Sequence, residues 1–159
     1  MIFKRETGTI APMKKQYDPR MHSAEHILNQ TMVRLFATDR SFSAHIEKKK
    51  SKCDYRFDRK LMDEEIRKIE QKVNEIIGAD MPVTEEYLSK EAAEKRYSLT
   101  RLPDDAKGDI RIVRVGNYDT CPCIDPHVKS TKEIGDFHIV SASFSNGILR
   151  IRYKLSQPE

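Results

Sequence analysis

The sequence predicts an α+β fold in which an antiparallel sheet is packed by two longer helices. The first helix begins at Asp18 and Pro19, which suit a cap and a first turn, and its apolar residues recur with a helical period as far as Phe36. The second helix covers residues 63–77, with Asp63 suited to cap it. Both segments are amphipathic, which predicts that each helix covers one face of a sheet.

Shorter segments with alternating apolar and polar residues supply the strands. The turn Ser145-Asn146-Gly147 is a strong signal for a hairpin that closes the domain. Ser89 suits the cap of a short third helix, and a loop is expected at residues 102–108. The predicted strands are residues 41–47, 53–58, 81–85, 110–115, 135–144 and 148–155.

Length and composition predict a single domain over residues 1–159, of which residues 1–20 are only weakly patterned. The three cysteines, the lack of a signal peptide and the lack of a long apolar run predict a reduced, cytoplasmic and soluble protein with no membrane partner. The net charge of +4 is compatible with a nucleic-acid partner without requiring one.

Two histidines in the first helix form the first candidate site. His22 and His26 are four residues apart, so they lie about one turn apart on one face of the helix, at the edge of its apolar stripe. This spacing is a common way to offer two imidazoles to one metal ion. The alternative is a pair of partly exposed, hydrogen-bonded histidines.

A second stretch strengthens the case for a metal. Cys123 and His127 are also four apart, and Pro126 between them favours a loop over a helix. Together with His22 and His26 they make a plausible tetrahedral set for Zn²⁺. The alternative is a buried structural cysteine beside an ordinary histidine. Cys121 could be a further thiol near the site, although an ordinary loop residue is the simpler interpretation.

These motifs resemble a known family. The histidine pair followed by Ile-Leu, the cysteine–histidine pair flanked by Asp119 and Val128, and the run at residues 131–135 resemble the editing domains of alanyl- and threonyl-tRNA synthetases. The similarity extends over residues 20–153 and is strongest to the free-standing alanyl-tRNA editing proteins called AlaX. The resemblance implies a synthetase-editing-domain-like fold, in the short form of the family.

The resemblance also implies a reaction. It is hydrolysis of the ester that joins a wrong amino acid to the 3′-terminal ribose of a tRNA. The implied substrate is Ser- or Gly-tRNA(Ala), with Ser-tRNA(Thr) as the alternative. Asp125 stands where the family usually has glycine, and Pro126 matches the threonine type.

A lysine run is the candidate for tRNA binding. Lys48, Lys49, Lys50 and Lys52 fall between the first two predicted strands, on a hairpin tip that could lie beside the mouth of the site. Clustered lysines contact phosphates independently of sequence, whereas the simpler interpretation is a solvated turn. The expected partner is the aminoacylated end of a tRNA, not DNA.

Two other classes of function stay open. Residues 22–26 also match the signature of inverted zinc proteases, with Glu25 as the general base. A non-catalytic tRNA-binding module would instead use the metal only to hold its fold, as four protein ligands around zinc usually do.

Overall fold

The computed structural model describes residues 18–100, 102 and 108–156. Most of the weakly patterned N-terminal segment, and most of the loop expected at residues 102–108, lie outside these ranges. The helices are α1 (Pro19–Phe36), α2 (Asp63–Gly78) and α3 (Lys90–Arg96), with a 3-10 turn at Thr131–Ile134. The strands are β1 (Ser43–His45), β2 (Ser51–Arg56), β3 (Val83–Leu88), β4 (Ile110–Val115), β5 (Asp119–Pro122), β6 (Phe137–Ser145) and β7 (Ile148–Leu155).

The α+β class is confirmed, but the strands form two antiparallel sheets rather than one. The first sheet has the order β1-β2-β7-β6, and the second has the order β3-β4-β5. A backbone bridge links Pro82, just before β3, to Ser130, and Val83 N–H donates to the carbonyl of Lys129 over 2.9 Å. The predicted strand at residues 81–85 begins two residues later and extends to Leu88.

Helices α1 and α2 share the main core with the four-stranded sheet. Alternate residues of β2 and β7 point inward, and Tyr55, Ile151 and Tyr153 are fully buried against Ile27 and other residues of the helices. The Tyr153 hydroxyl donates to the carbonyl of Met21 over 3.0 Å, which fixes α1 on the sheet. No helix in the described ranges is both long and apolar enough to cross a membrane.

The helix ends follow their sequence signals with one exception. The Asp18 carboxylate accepts from the backbone N–H of Arg20 over 2.9 Å, so the predicted cap of α1 is confirmed. In α2 the cap position belongs to Met62 instead of Asp63. Glu65 explains the difference, because its carboxylate reaches back to accept from the Met62 N–H over 2.9 Å.

The closing hairpin forms as predicted. Asn146 and Gly147 both have positive φ, 50° and 78°, as the two central residues of a tight type I′ turn require. The β1–β2 hairpin also forms, with His45 opposite Lys52. The lysine tip thus lies at the other end of β1 from Phe42.

Candidate metal centre and cleft

The structure brings ligands from α1 and from the loop after β5 to one place. One candidate nitrogen or sulfur atom from each of His26, Cys123 and His127 lies within 4.8 Å of the other two. His127 Nε2 is 3.3 Å from Cys123 Sγ, and the rings of His26 and His127 are 4.4 Å apart between centroids. Three of the four predicted ligands therefore form one cluster.

His22 lies beside this cluster rather than within it. Its ring centroid is 6.4 Å from that of His127, and its Nδ1 is 3.4 Å from a carboxylate oxygen of Asp125. His22 is 5 % exposed. It is one helical turn from His26, as the spacing predicts, and it faces the same loop from the same side.

A second group of potential ligands lies behind His26. Asp119 and Cys121 come from β5, and His26 Nδ1 is 3.4 Å from Asp119 Oδ2 and 3.3 Å from Cys121 Sγ. Arg40 occupies the cationic position of this group, because its guanidinium donates to Asp119 over 2.6 Å and to Cys121 over 3.3 Å. A second metal ion here would face that positive charge, so the group is better suited to orienting His26 than to binding metal.

The orientation of His26 follows from these contacts. A histidine whose Nδ1 faces a carboxylate presents its Nε2 on the opposite side of the ring, and that is the usual arrangement of a metal-ligating imidazole. Gln30 also donates to Asp119, over 2.8 Å. Asp119 is therefore buried at the centre of a network that connects His26 and Gln30 of α1 to Arg40 in the segment before β1.

The buried charges shift the pKa values of this network in opposite directions. Burial by itself would raise the pKa of Asp119, yet hydrogen bonding with His26 and the charge of Arg40 hold that pKa well below its usual range. Burial would lower the pKa of His26, but the charge of Cys121 and the hydrogen bond with Asp119 raise it well above its ordinary value. Burial and the charge of His26 lower the pKa of His127 to about 2, so its imidazole is neutral at pH 7.

Polar contacts from two other elements hold the ligand loop. The Arg111 guanidinium, on β4, donates to the carbonyls of Cys123 and Asp125 over 3.2 Å and 2.7 Å. The Ser23 hydroxyl, on α1, accepts from the Val128 N–H over 3.1 Å and is 3.0 Å from His127 Nδ1. These contacts leave His127 Nε2 facing Cys123.

A cleft of about 770 Å³ opens onto the cluster. Its walls are α1, the segment before β1, the residues that follow α3, and β5 with the ligand loop. Two cations, Arg40 and Arg96, and three acidic residues, Glu25, Asp39 and Asp125, line it. A cleft of this size is large enough to enclose a small ligand or one nucleotide.

The predicted lysines lie elsewhere. Lys48, Lys49 and Lys50 are exposed on the turn between β1 and β2, and Lys52 lies within β2. Phe42 lines the cleft at the opposite end of β1. Lys48, Lys49 and Lys50 are therefore at a hairpin tip, as predicted, whereas the prediction is wrong for Lys52, because β2 begins at Ser51 instead of residue 53. None of the four lines the cleft.

Sequence reasoning missed several residues around the cluster. Cys121 is a strand residue in contact with His26, so the simpler interpretation of it as a loop residue is wrong. Residues two apart in a strand face the same side of it. Asp119 and Cys121 precede Cys123 at intervals of two, so this spacing could have identified both as neighbours of the predicted ligand. Arg111 lies in the predicted strand at residues 110–115, and nothing local in the sequence marks its contact with the loop.

This chain is similar to one domain of larger known proteins. The family described as "Threonyl and Alanyl tRNA synthetase second additional domain" matches residues 110–152. Alanine–tRNA ligase of Bdellovibrio bacteriovorus is 31 % identical over 94 % of this chain and 17 % of its own length. That of Fervidobacterium nodosum is 33 % identical over 94 % of this chain and 18 % of its own length.

The chain thus spans less than a fifth of the length of these two ligases. The alanine–tRNA ligase of Methanopyrus kandleri gives the same picture, with 30 % identity over 96 % of this chain and 18 % of the ligase. The resemblance predicted from the sequence motifs is therefore confirmed for this domain.

Proposed function

We propose that this chain, a domain-level relative of the alanyl- and threonyl-tRNA synthetases, hydrolyses the ester of mischarged tRNA at a zinc centre. The proposed ligands are His22, His26, Cys123 and His127. The observation that carries the proposal is the convergence of donors from α1 and from a distant loop at a cleft of about 770 Å³. Ligands from distant parts of a chain that meet at a cleft favour a functional centre over a local structural zinc site.

The donor chemistry fits zinc. Imidazole nitrogen and thiolate sulfur are the ligands that zinc prefers, and each must be deprotonated when it binds the metal. The cluster of three donors leaves a fourth position for His22 or for an exchangeable water or substrate oxygen. When bound, zinc would polarise the ester carbonyl or activate a water molecule at neutral pH.

The surrounding residues would supply positioning. Asp119 fixes the His26 ring through Nδ1, while Arg111 and Ser23 fix the loop that carries Cys123. Arg96 lines the cleft, where it could pair with a phosphate of the tRNA 3′ end. An aminoacyl ester is already activated, so positioning and electrostatic stabilisation can provide most of the acceleration.

The preferred substrate is Ser- or Gly-tRNA(Ala). The relatives named alanine–tRNA ligase support an alanine tRNA. Pro126, which matches the threonine-type motif, favours Ser-tRNA(Thr) as the second candidate. Discrimination by one hydroxyl is feasible when the pocket hydrogen-bonds that hydroxyl.

The deciding experiment is a deacylation assay on Ser-tRNA(Ala), Gly-tRNA(Ala) and Ser-tRNA(Thr), with Ala-tRNA(Ala) as the correctly charged control. Elemental analysis of untagged protein should find close to one zinc per chain. Cys123→Ser should remove both zinc and activity, whereas His45→Gln, a histidine outside the cluster, should leave the zinc content unchanged. Full deacylation by protein that takes up no zinc would overturn the metal-centred proposal.

The same assay separates the two other classes of function. A non-catalytic module would bind tRNA with zinc present and deacylate nothing. Glu25 tests the protease-like alternative, since it lines the cleft. We expect Glu25→Gln to keep a large share of deacylation. A loss as great as that of His22→Ala would instead assign Glu25 the role of general base.

A further inference from the structure

The outer face of the four-stranded sheet carries a row of cations that the candidate site does not use. Alternate residues of β7 turn away from the core, and three of them are Arg150, Arg152 and Lys154. Lys52 and Arg56 face the same way on β2. Within the four strands Asp54 is the one acidic residue of this face, and Arg150 already pairs with it over 2.8 Å.

Two of these cations are direct neighbours across the sheet. Lys52 lies opposite Arg152. Like charges directly opposite each other destabilise a sheet, so this arrangement has a cost in the isolated protein. An anionic partner laid across the face would remove that cost.

We infer that this outer face, centred on Lys52, Arg152 and Lys154, binds the phosphate backbone of the RNA duplex whose 3′ end enters the cleft. The inference rests on the proposed function for the identity of the RNA. Cations at alternate positions of one strand are roughly 6.6 Å apart, twice the rise per residue. That spacing is comparable to the distance between successive phosphates along one strand of RNA.

The chemistry of the neighbouring strand fits the same partner. Ser141 and Ser143 of β6 lie opposite Arg152 and Arg150, so hydroxyl donors flank the cations. A phosphate oxygen accepts from both kinds of group. Such donors position a nucleic acid without reading its sequence, which suits contact with the backbone of a duplex.

The face is continuous with the cleft at one end and with the lysine tip at the other. The Arg56 guanidinium stacks on the ring of Phe42, 3.9 Å from its centroid, and Phe42 lines the cleft. At the opposite end of β2, Lys50 precedes Ser51, whose partner on β7 is Tyr153, next to Lys154. An RNA stem lying along β2 could therefore contact the lysine tip while its single-stranded end reaches the cleft.

The test measures binding, not catalysis. The probe is an RNA hairpin with the length of an acceptor stem and no amino acid attached. Its affinity is measured by fluorescence anisotropy at several salt concentrations. The affinity falls as salt rises, and each cation that neutralises one phosphate steepens this fall by about one unit of log affinity per unit of log salt. Changing Lys52, Arg152 and Lys154 together to serine should therefore make the dependence shallower by up to about three units. The matched control changes three exposed cations outside the sheet, Arg67, Lys68 and Lys132, to serine, and should leave the slope unchanged.

A stability measurement separates docking from folding. Because the substituted residues repel each other, the triple variant should unfold at the same temperature as the wild type or higher. Weaker binding with a clearly lower unfolding temperature would overturn the inference, since a structural role would then explain the weaker binding. Wild-type protein that binds anionic lipid vesicles and not the hairpin would overturn it as well.

The outcome for this face is distinguishable from the outcome for the proposed reaction. If the wild type deacylates mischarged tRNA but the triple variant keeps its salt slope, the face is not the docking surface and the reaction stands. If the wild type deacylates nothing yet the slope falls in the variant, the surface stands and the proposed function fails.

Discussion

The candidate metal centre has two halves that are held in place by different forces. His22 and His26 lie on α1, whose neighbouring residues Met21, Ala24 and Ile27 are essentially fully buried. Cys123 and His127 lie on the loop that follows β5, which polar side chains of β4 and α1 hold from outside. Packing therefore positions the helical half, and a few hydrogen bonds position the loop half.

This difference predicts how each half of the metal centre responds to substitution. A substitution on the helix removes a ligand but leaves its neighbours where the core holds them. A substitution of a residue that supports the loop leaves every ligand present but displaces both loop ligands, Cys123 and His127, at the same time. Metal affinity and protein stability should therefore respond differently in the two halves.

The largest effect is expected from His26→Ala. His26 belongs to both groups of potential ligands, and its ring lies closer to that of His127 than the ring of His22 does. Zinc content should fall from close to one per chain to near zero by elemental analysis, and deacylation should be abolished. His22→Ala should reduce zinc less, because its ring lies 6.4 Å from that of His127. Equal reduction in both variants would place His22 fully within the ligand set.

Asp119→Asn should have the next largest effect. Replacing a carboxylate that orients a metal-ligating histidine typically costs about 10- to 100-fold in metal affinity. The same change leaves the half-buried Arg40 without its carboxylate partner. Competition with a zinc chelator would measure the affinity. Asp54→Asn, which breaks the comparable pair with Arg150 on the outer face, is the control and should leave zinc affinity unchanged.

The contribution of Asp119 to stability has a predictable pH dependence. Its pKa in the folded state lies well below the ordinary value, so the ionised form contributes stability above the pKa of the unfolded chain. That contribution is lost as the pH falls through the folded pKa. Below about pH 5, where His26 is protonated in both the folded and the unfolded chain, the difference in unfolding free energy between wild type and Asp119→Asn should shrink as the pH falls further. A difference that grows as the pH falls below about 5 would contradict this assignment.

Arg111→Gln should loosen the loop half selectively. The guanidinium donates to the carbonyls of Cys123 and Asp125, and hydrogen bonds from charged groups contribute about 1.5–3 kcal/mol each. Zinc should still bind, but hydrogen exchange of the loop amides should accelerate. Arg114→Gln is the matched control on the same strand, because Arg114 pairs with Glu86 at the surface instead of with the loop carbonyls. Identical exchange in both variants would remove Arg111 from this role.

The same division explains what the sequence could predict. The histidine pair, both long helices and the closing hairpin follow from signals within a few residues, such as the cap at Asp18 and the turn at Asn146 and Gly147. The partition into two sheets does not, because it depends on which distant strands pair. The predicted cap of α2 at Asp63 is wrong, because Glu65 reaches back to the Met62 N–H and the cap position is Met62, one residue earlier.

The loop half shows the limit most clearly. Cys123 and His127 were identified as ligands from their spacing, yet the residues that hold them are far away in the chain. Arg111 comes from β4, outside the two ligand motifs, and Ser23 lies between the two histidines of α1 but is not itself a ligand-type residue. Asp119 and Cys121 could have been found from strand alternation, since both precede Cys123 by an even number of residues.

The smallest effect is expected from Ser23→Ala, which tests a contact that joins the two halves directly. The Ser23 hydroxyl accepts from the Val128 N–H and lies 3.0 Å from His127 Nδ1, so it belongs to the helix but orients a loop ligand. Removing it should cost about 1 kcal/mol of unfolding free energy, the typical value for one hydrogen bond, and weaken zinc binding only a few-fold. Ser43→Ala, an exposed serine on β1, is the control for removal of a hydroxyl. If Ser23→Ala destabilises the apo protein and the zinc-bound protein equally, the contact serves only the fold. A larger cost in the zinc-bound protein would mean that the hydroxyl orients His127 toward the metal.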